Sequence, residues 1–170
     1  MHKQGLPPIA AASTRLFILG SLPGDRSLAE GRYYAHPTNQ FWKLVGRAIG
    51  RDLASLDYED RLPVLAEHGI GLWDVVSAAQ REGSADHAIR DAVHNDIGGL
   101  KRDYPDLQAV AFNGGRAAKD GSRLLAGVEG LDRIALPSSS GLAAIPFEEK
   151  AAAWGQLAGY CRAWPCPRRR

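Results

Sequence analysis

The sequence predicts a three-layer α/β/α sandwich built around a mainly parallel four-stranded sheet. Three observations lead there. Short apolar runs alternate with segments of helical period four times along the chain. Each apolar run empties into a loop rich in Gly, Pro, Ser or Asn. The chain has 170 residues and 45% hydrophobic content, which suits one domain with a sizeable core.

The elements follow in order. Arg15–Gly20 reads as a buried strand, and Gly20 to Trp42 as a long loop. Phe41–Ile49 reads as a helix, because Phe41, Leu44, Val45, Ala48 and Ile49 recur at helical spacing. Asp60 is placed to cap a helix from Arg61 to His68, with Pro63 in its first turn. Ile70–Val76 is the second strand, and a loop with Gly83, Ser84 and Asp86 follows it. Asn95 or Asp96 starts a short helix that ends before Pro105. Leu107–Phe112 is the third strand, Arg116–Ala126 a helix, and Leu131–Leu136 the fourth strand. The last helix, from Phe147 to Arg162, places Phe147, Ala151, Trp154, Ala158 and Cys161 on one face. The expected unit is a single domain over residues 1–170, with loose ends at about 1–13 and 164–170.

Composition excludes several classes. A net charge of +2 and a pI of about 8.6 are only mildly basic. The Arg168-Arg169-Arg170 cluster reads as a solvated terminus. No apolar run approaches the ~20 residues that span a bilayer, and the N-terminus lacks the apolar core of a secretory signal, so a cytoplasmic protein is expected. Cys161 and Cys166 are too few for a four-thiolate cluster and have no neighbouring His for zinc. Cys161 reads as packed and Cys166 as loose. No metal and no cofactor are expected, and nothing suggests an obligate oligomer, so a monomer is expected.

Consecutive parallel strands put all their C-terminal ends at one edge of the sheet, so the loops starting at Gly20, Val76, Asn113 and Pro137 should cluster. Those loops hold the chemically capable residues. Tyr33 and Tyr34 precede the helix and suit stacking; His36 and Asn39 can handle water or a polar ligand. Ser21-Leu22-Pro23-Gly24 is neither a Walker loop nor a GxGxxG turn. Asn113-Gly114-Gly115 reads as an anion cradle or as a plain strand-to-helix turn. Ser138, Ser139, Ser140 and Gly141 read as a phosphate contact or as a polar turn. Ser21, His36 and Asp74 form a triad on paper, but no G-x-S-x-G elbow accompanies them. Asp25, Glu30 and Asp74 are candidate acid–base groups that also fit capping or solvated roles.

Together these loops resemble the uracil-DNA glycosylase superfamily, and within it the hypoxanthine (deoxyinosine) DNA glycosylase branch. The residues that carry the resemblance are GSLPG at Gly20–Gly24, Ser27-Leu28, YYAHPTNQFW at Tyr33–Trp42 and GIGLWDVV at Gly69–Val76. GSAD at Gly83–Asp86, FNG at Phe112–Gly114 and LPSSS at Leu136–Ser140 complete the series. The resemblance implies the same α/β/α fold and monofunctional excision of a base from DNA. Many uracil glycosylases carry Asn or Asp where this chain has Leu22, and His or Asn where it has Leu136. The hypoxanthine branch resembles this chain at both places, and its essential Asn lies in an HPxN segment that matches Asn39.

The roles that follow are expectations. A DNA base is flipped from the stack. Tyr34 stacks it, with Tyr33 behind and His36 and Asn113 in support. Gly20, Ser21, Leu22 and Asp74 line it, backbone N–H groups donating to O6 and N7 and Asp74 accepting from N1–H. Asn39 positions water. Ser138, Ser139 and Ser140 hold phosphates, and Leu142 fills the vacated stack. The first motif has no lysine, so no Schiff-base lyase step is expected. Rival readings are a mismatch-type uracil glycosylase of the same fold, a noncatalytic nucleic-acid-binding module and a small-molecule hydrolase.

Overall fold

Four strands of five residues each form the central sheet of the computed structural model, which describes residues 1–162. They are β2 (Leu16–Gly20), β3 (Ile70–Asp74), β6 (Ala109–Asn113) and β7 (Asp132–Leu136). Their order is β3-β2-β6-β7, with every neighbouring pair parallel. The central strands β2 and β6 are buried at every position, because helices cover both faces. The expected sandwich and its four strands are therefore present.

Alternation along β2 divides the core. Leu16 and Ile18 point to one face, where α2 (Phe41–Ile49), α3 (Tyr58–Glu67) and α6 (Phe147–Trp154) cover them. Phe17 and Leu19 point to the other, against Leu100, Ala117 and Leu125 from α4 (Leu100–Asp103) and α5 (Gly115–Leu124) with its cap. Two glycines let aromatic rings lie close. A Cβ at Gly71 would meet the Phe17 ring at 2.9 Å, and one at Gly121 would meet Phe112 at 2.2 Å.

The structure corrects the sequence reading in several places. The chain does not continue as one strand to Val76. It breaks at Val75 and starts β4 (Val76–Gln80), which pairs antiparallel with β1 (His2–Gln4) and β5 (Arg90–His94) in a second, three-stranded sheet. Polar and charged side chains, with bulges between β4 and β5, hide the alternation that would have announced this sheet. The N-terminal segment expected to be loose is tied down, by β1 and by a bridge between Ile9 and Leu72. Residues Asp25–Glu30 of the long first loop form α1, closed by Gly31 at φ 65°.

Other boundaries shift. The third helix starts after Asp57, not Asp60, so Pro63 lies past its first turn. Asp96 caps a 3₁₀ turn that runs into α4, its Oδ1 accepting from the Gly99 N–H. The last helix gives way to a 3₁₀ segment at Gly155–Tyr160. Cys161 is half-buried, and burial pushes its thiol up to about 11. Cys166 and Arg168–Arg170 lie outside the described residues.

Gly121→Ala gains helix propensity worth up to ~1 kcal/mol but drives a methyl into Phe112. A net destabilisation of about 1–2 kcal/mol is expected in urea melts, since overpacking a close-packed core outweighs the helix gain.

Candidate active site

Register alone aligns the site. Gly20 is opposite Asp74, Leu19 opposite Phe112, and Asn113 opposite Leu136. Asp74, Gly20, Asn113 and Leu136 therefore form a row along the C-terminal edge of the sheet, spanning roughly 14 Å at the usual strand spacing.

The middle of the row is a chain of hydrogen bonds. Asn113 is buried and uses both ends of its amide. Its Nδ2 donates to Ser139 Oγ at 2.9 Å and to Tyr34 Oη at 3.3 Å, while its Oδ1 accepts from the Ser139 N–H at 2.9 Å. Ser139 Oγ in turn donates to Asn39 Oδ1 at 2.8 Å. Asn39 Oδ1 also accepts from the Phe41 N–H at 3.0 Å, which fixes the orientation of the amide. The Asn39 Nδ2 donors have no partner among the described residues.

Two further contacts lock the loops carrying Asn39 and Ser139. The Gln40 N–H donates to the Ser139 carbonyl at 2.8 Å. A Cβ at Gly141 would strike the Thr38 carbonyl at 2.5 Å, so this approach requires glycine. Trp154 Nε1 holds the Pro137 carbonyl from beneath at 2.9 Å.

Tyr34 adopts φ 55°, rare for a residue with a side chain. Its ring stacks on Phe41, 3.8 Å between centroids and 10° between planes. Burial, with the charge of Asp74 nearby, raises the pKa of its phenol, which keeps its proton. Tyr33 is buried behind it, donating to the Pro7 carbonyl at 2.7 Å. His36 is exposed, and its Nδ1 accepts from the Thr38 N–H at 3.2 Å, so its role is in its own turn.

The other end of the row is acidic. Asp74 is buried, and its Oδ2 has no hydrogen-bond partner among the described residues. A Cβ at Gly20 would lie 2.5 Å from Asp74 Oδ1 and 3.0 Å from Tyr34 Oη, so only glycine admits both groups. Burial pushes the Asp74 carboxyl up to about 7; the charge of Asp86 adds to the rise and Arg81 opposes it.

The GSAD segment docks on the first motif. Ser21 Oγ donates to Asp86 Oδ1 at 2.5 Å, Ser84 Oγ accepts from the Asp25 N–H at 2.9 Å, and Lys3 Nζ holds the Gly83 carbonyl at 2.6 Å. Beneath it, buried Arg81 donates to the carbonyls of Leu22 and Pro23.

Two expected side-chain placements are corrected. Leu22 packs into the core with Phe17, Leu19 and Val76, so its side chain does not line the site. Ser139 is 1% exposed and its Oγ and N–H are both engaged, which turns it away from any phosphate. Ser138 and Ser140 remain partly exposed, and Leu142 is 94% exposed at the loop tip. Sequence reasoning missed Asp86 and Lys150. Asp86 was visible only as part of GSAD, and Lys150 looked like an ordinary charge on an amphipathic helix. Among the described residues no group of three or more His, Cys, Asp or Glu is arranged to hold a metal ion. No helix among them is long and apolar enough to cross a membrane.

A fold of this topology, with polar loops gathered at one sheet edge around a buried acid and an amide, matches the family model of the uracil DNA glycosylase superfamily over residues 7–158. The chain belongs to that superfamily. It is 47% identical over 141 residues to a protein of Methanosarcina acetivorans named hypoxanthine DNA glycosylase, covering 83% of this chain and 88% of that one. It is 42% identical over 156 residues to a protein of the same name from Methanosarcina barkeri, covering 92% and 98%. The solution NMR structure of a candidate uracil DNA glycosylase from Methanosarcina acetivorans superposes with a TM-score of 0.84 at 42% identity, covering 93% of this chain and 97% of that one.

The unfolded Asp74 carboxyl ionises near its ordinary value of 3.8, the folded one near 7. Its contribution is therefore most favourable to the fold below about pH 4 and is lost as pH rises through about 7. Asp74→Asn is expected to melt at a higher temperature than the unaltered chain at about pH 8, the gap closing near pH 4. Equal melting temperatures at both pH values would contradict the burial.

Proposed function

We propose that this chain hydrolyses the N-glycosidic bond of deoxyinosine in DNA, releasing hypoxanthine and leaving an abasic site. The observation that carries the reading is the unpartnered, buried Asp74 Oδ2 beside Tyr34 and Gly20, joined to Asn39 through Tyr34, Asn113 and Ser139. A buried carboxylate oxygen without a partner is costly, and a base N–H that meets it removes that cost. The two relatives named hypoxanthine DNA glycosylases support the substrate.

The flipped base stacks on the face of Tyr34 opposite Phe41, a contact worth roughly 1–3 kcal/mol. Hypoxanthine presents N1–H to ionised Asp74. Neutral adenine presents a lone pair there and is repelled. Backbone N–H groups at Ser21 and Leu22 face O6 and N7, where charge accumulates as the bond breaks. Gly20 leaves room for this approach.

Asn39 holds the attacking water. Its Oδ1 is already committed to Phe41 and Ser139, so Nδ2 is the group left to donate to the water oxygen. That fixes the water while leaving a lone pair for C1′; it does not remove a proton. The C1′–N9 electron pair leaves with the base, the water oxygen bonds C1′ and gives its extra proton to solvent, and the base takes a proton from solvent. Leu142 enters the gap in the duplex, and Ser138 and Ser140 contact the flanking phosphates. The protein works as a monomer on chromosomal DNA in the cytoplasm.

Excess enzyme mixed with labelled duplexes is expected to give alkali-labile sites at deoxyinosine faster than at deoxyuridine. Asn39→Ala should lower the single-turnover rate by about 100-fold or more. Leu142→Ala should weaken duplex binding about 10-fold, the value of one buried leucine side chain. Faster cleavage at deoxyuridine would move the substrate to uracil, and tight binding to abasic DNA with no base release would leave only a binding module. With Asp74 ionised as the working form, kcat/KM on deoxyinosine should rise with pH to a plateau above about pH 7, a rise that Asp74→Asn abolishes.

A further inference from the structure

Lys150 is the fourth residue of α6, and only 1% of it is exposed. Its Nζ donates to Gln40 Oε1 at 2.8 Å and to the Ser140 carbonyl at 2.9 Å. No carboxylate pairs with it among the described residues. Burial pulls its pKa down, as expected for a cation removed from water without a counter-charge. An apolar side chain of similar length would fill the same space without that penalty. A buried, unpaired lysine is therefore a costly choice, and its two partners show what it does.

Gln40 directly follows Asn39, and Ser140 lies two residues before Leu142. The two loops already touch through the Gln40 N–H to the Ser139 carbonyl, through Ser139 Oγ to Asn39 Oδ1, and through Gly141 against Thr38. Lys150 adds a tie from the helix beneath, fixing both loops to α6.

We propose that Lys150 is a positioning residue that locks the loop bearing Asn39 to the loop bearing Leu142, so that Asn39 is correctly placed only while the DNA-inserting loop is. The inference rests on the proposed glycosylase reading. Lys150 touches neither base nor water and acts through Gln40 and Ser140. A charge-assisted donor matters here because it reaches two acceptors at once and holds them more strongly than a neutral group.

The test is a double-mutant cycle in single-turnover excision from a deoxyinosine duplex, using the full chain in excess. Lys150→Met is expected to lower the rate about 10-fold to 100-fold, the effect of displacing a catalytic group by about an ångström. Affinity for a duplex carrying uncleavable 2′-fluoro-deoxyinosine should fall by less than the rate does and by no more than the about 10-fold set for Leu142→Ala, since the loop is loosened while its DNA-contacting side chains stay. Lys150→Arg should recover most of the rate. In an Asn39→Ala background, Lys150→Met should change the residual rate by less than about 2-fold, because the loop it steadies has lost its working group. An unaltered rate for Lys150→Met would overturn the proposal, as would an equal fall in both backgrounds. If Lys150→Met does not fold, Gln40→Met cuts the same bond from the loop side and must show the same pattern. No excision by the unaltered chain would overturn the glycosylase reading, and with it this role; normal excision with an inert Lys150 overturns only the latter.

Discussion

The site depends on one hydrogen-bond chain, from Asn113 through Ser139 to Asn39. Asn113 ends the central strand β6, so its position is set by the most rigid part of the sheet. Its amide is buried, and leaving either end unpaired would cost on the order of 1–3 kcal/mol. Ser139 is the residue that satisfies it on both sides, accepting at Oγ and donating from N–H. The hydroxyl then has one proton left, which goes to Asn39. Three loops that follow β2, β6 and β7 thus become one unit with no covalent link between them. Had Ser139 faced solvent, as its place in a serine run suggests, Asn39 would be held only by its own turn and the Phe41 N–H.

Opposite physics governs the Asn39 side of the site and the Asp74 end of the row. On the Asn39 side both ends of the Asn113 amide, the Ser139 hydroxyl and Asn39 Oδ1 are paired, so the amide is oriented and its free donor is specified. At the Asp74 end a buried carboxylate oxygen has no partner among the described residues, and the negative charge of Asp86 raises the cost further. Buried Arg81 limits that cost through its charge and not through a hydrogen bond to Asp74; its two terminal nitrogens donate to the Leu22 and Pro23 carbonyls. One side is preorganised, and at the other the proposed base N–H would recover the cost of the unpaired oxygen.

Much of this was legible in the sequence, and the failures share a cause. The four buried strands announce themselves because both sheet faces are covered, which makes Leu16-Phe17-Ile18-Leu19 and Ala109–Phe112 continuous apolar runs. The second sheet does not, because His2–Gln4 and Arg90–His94 are half-exposed edge segments with no clean alternation. Within the site, residues whose backbone matters were readable: Gly20 from its place after a strand, Asn113 from its place before a Gly pair. Residues whose importance comes from a distant partner were not. Asp86 gains its meaning 65 positions away at Ser21, and Lys150 gains its meaning 110 positions away at Gln40. No local pattern encodes such pairings.

Leu22 shows how a packing constraint shapes chemistry. Its side chain belongs to the core beneath the first motif, and its carbonyl is taken by Arg81. Neither group is free to hold a water. Under the proposed reading, water must therefore be held from elsewhere, and the loop before α2 provides Asn39, steered by Ser139. This moves the water-holding group away from the buried Gly20–Gly24 turn, whose carbonyls are taken by Val75, Val76 and Arg81 and whose Ser21 and Leu22 N–H groups are the ones the proposal assigns to the base. Recognition and water positioning then fall to different loops, joined only through Asn113 and Tyr34. Tyr34 connects them physically: its ring stacks on Phe41 and is the proposed base platform, its hydroxyl accepts from Asn113, and the same hydroxyl crowds Gly20 beside Asp74. Its positive φ is the backbone strain that this triple placement requires, and the stack on Phe41 is what offsets it.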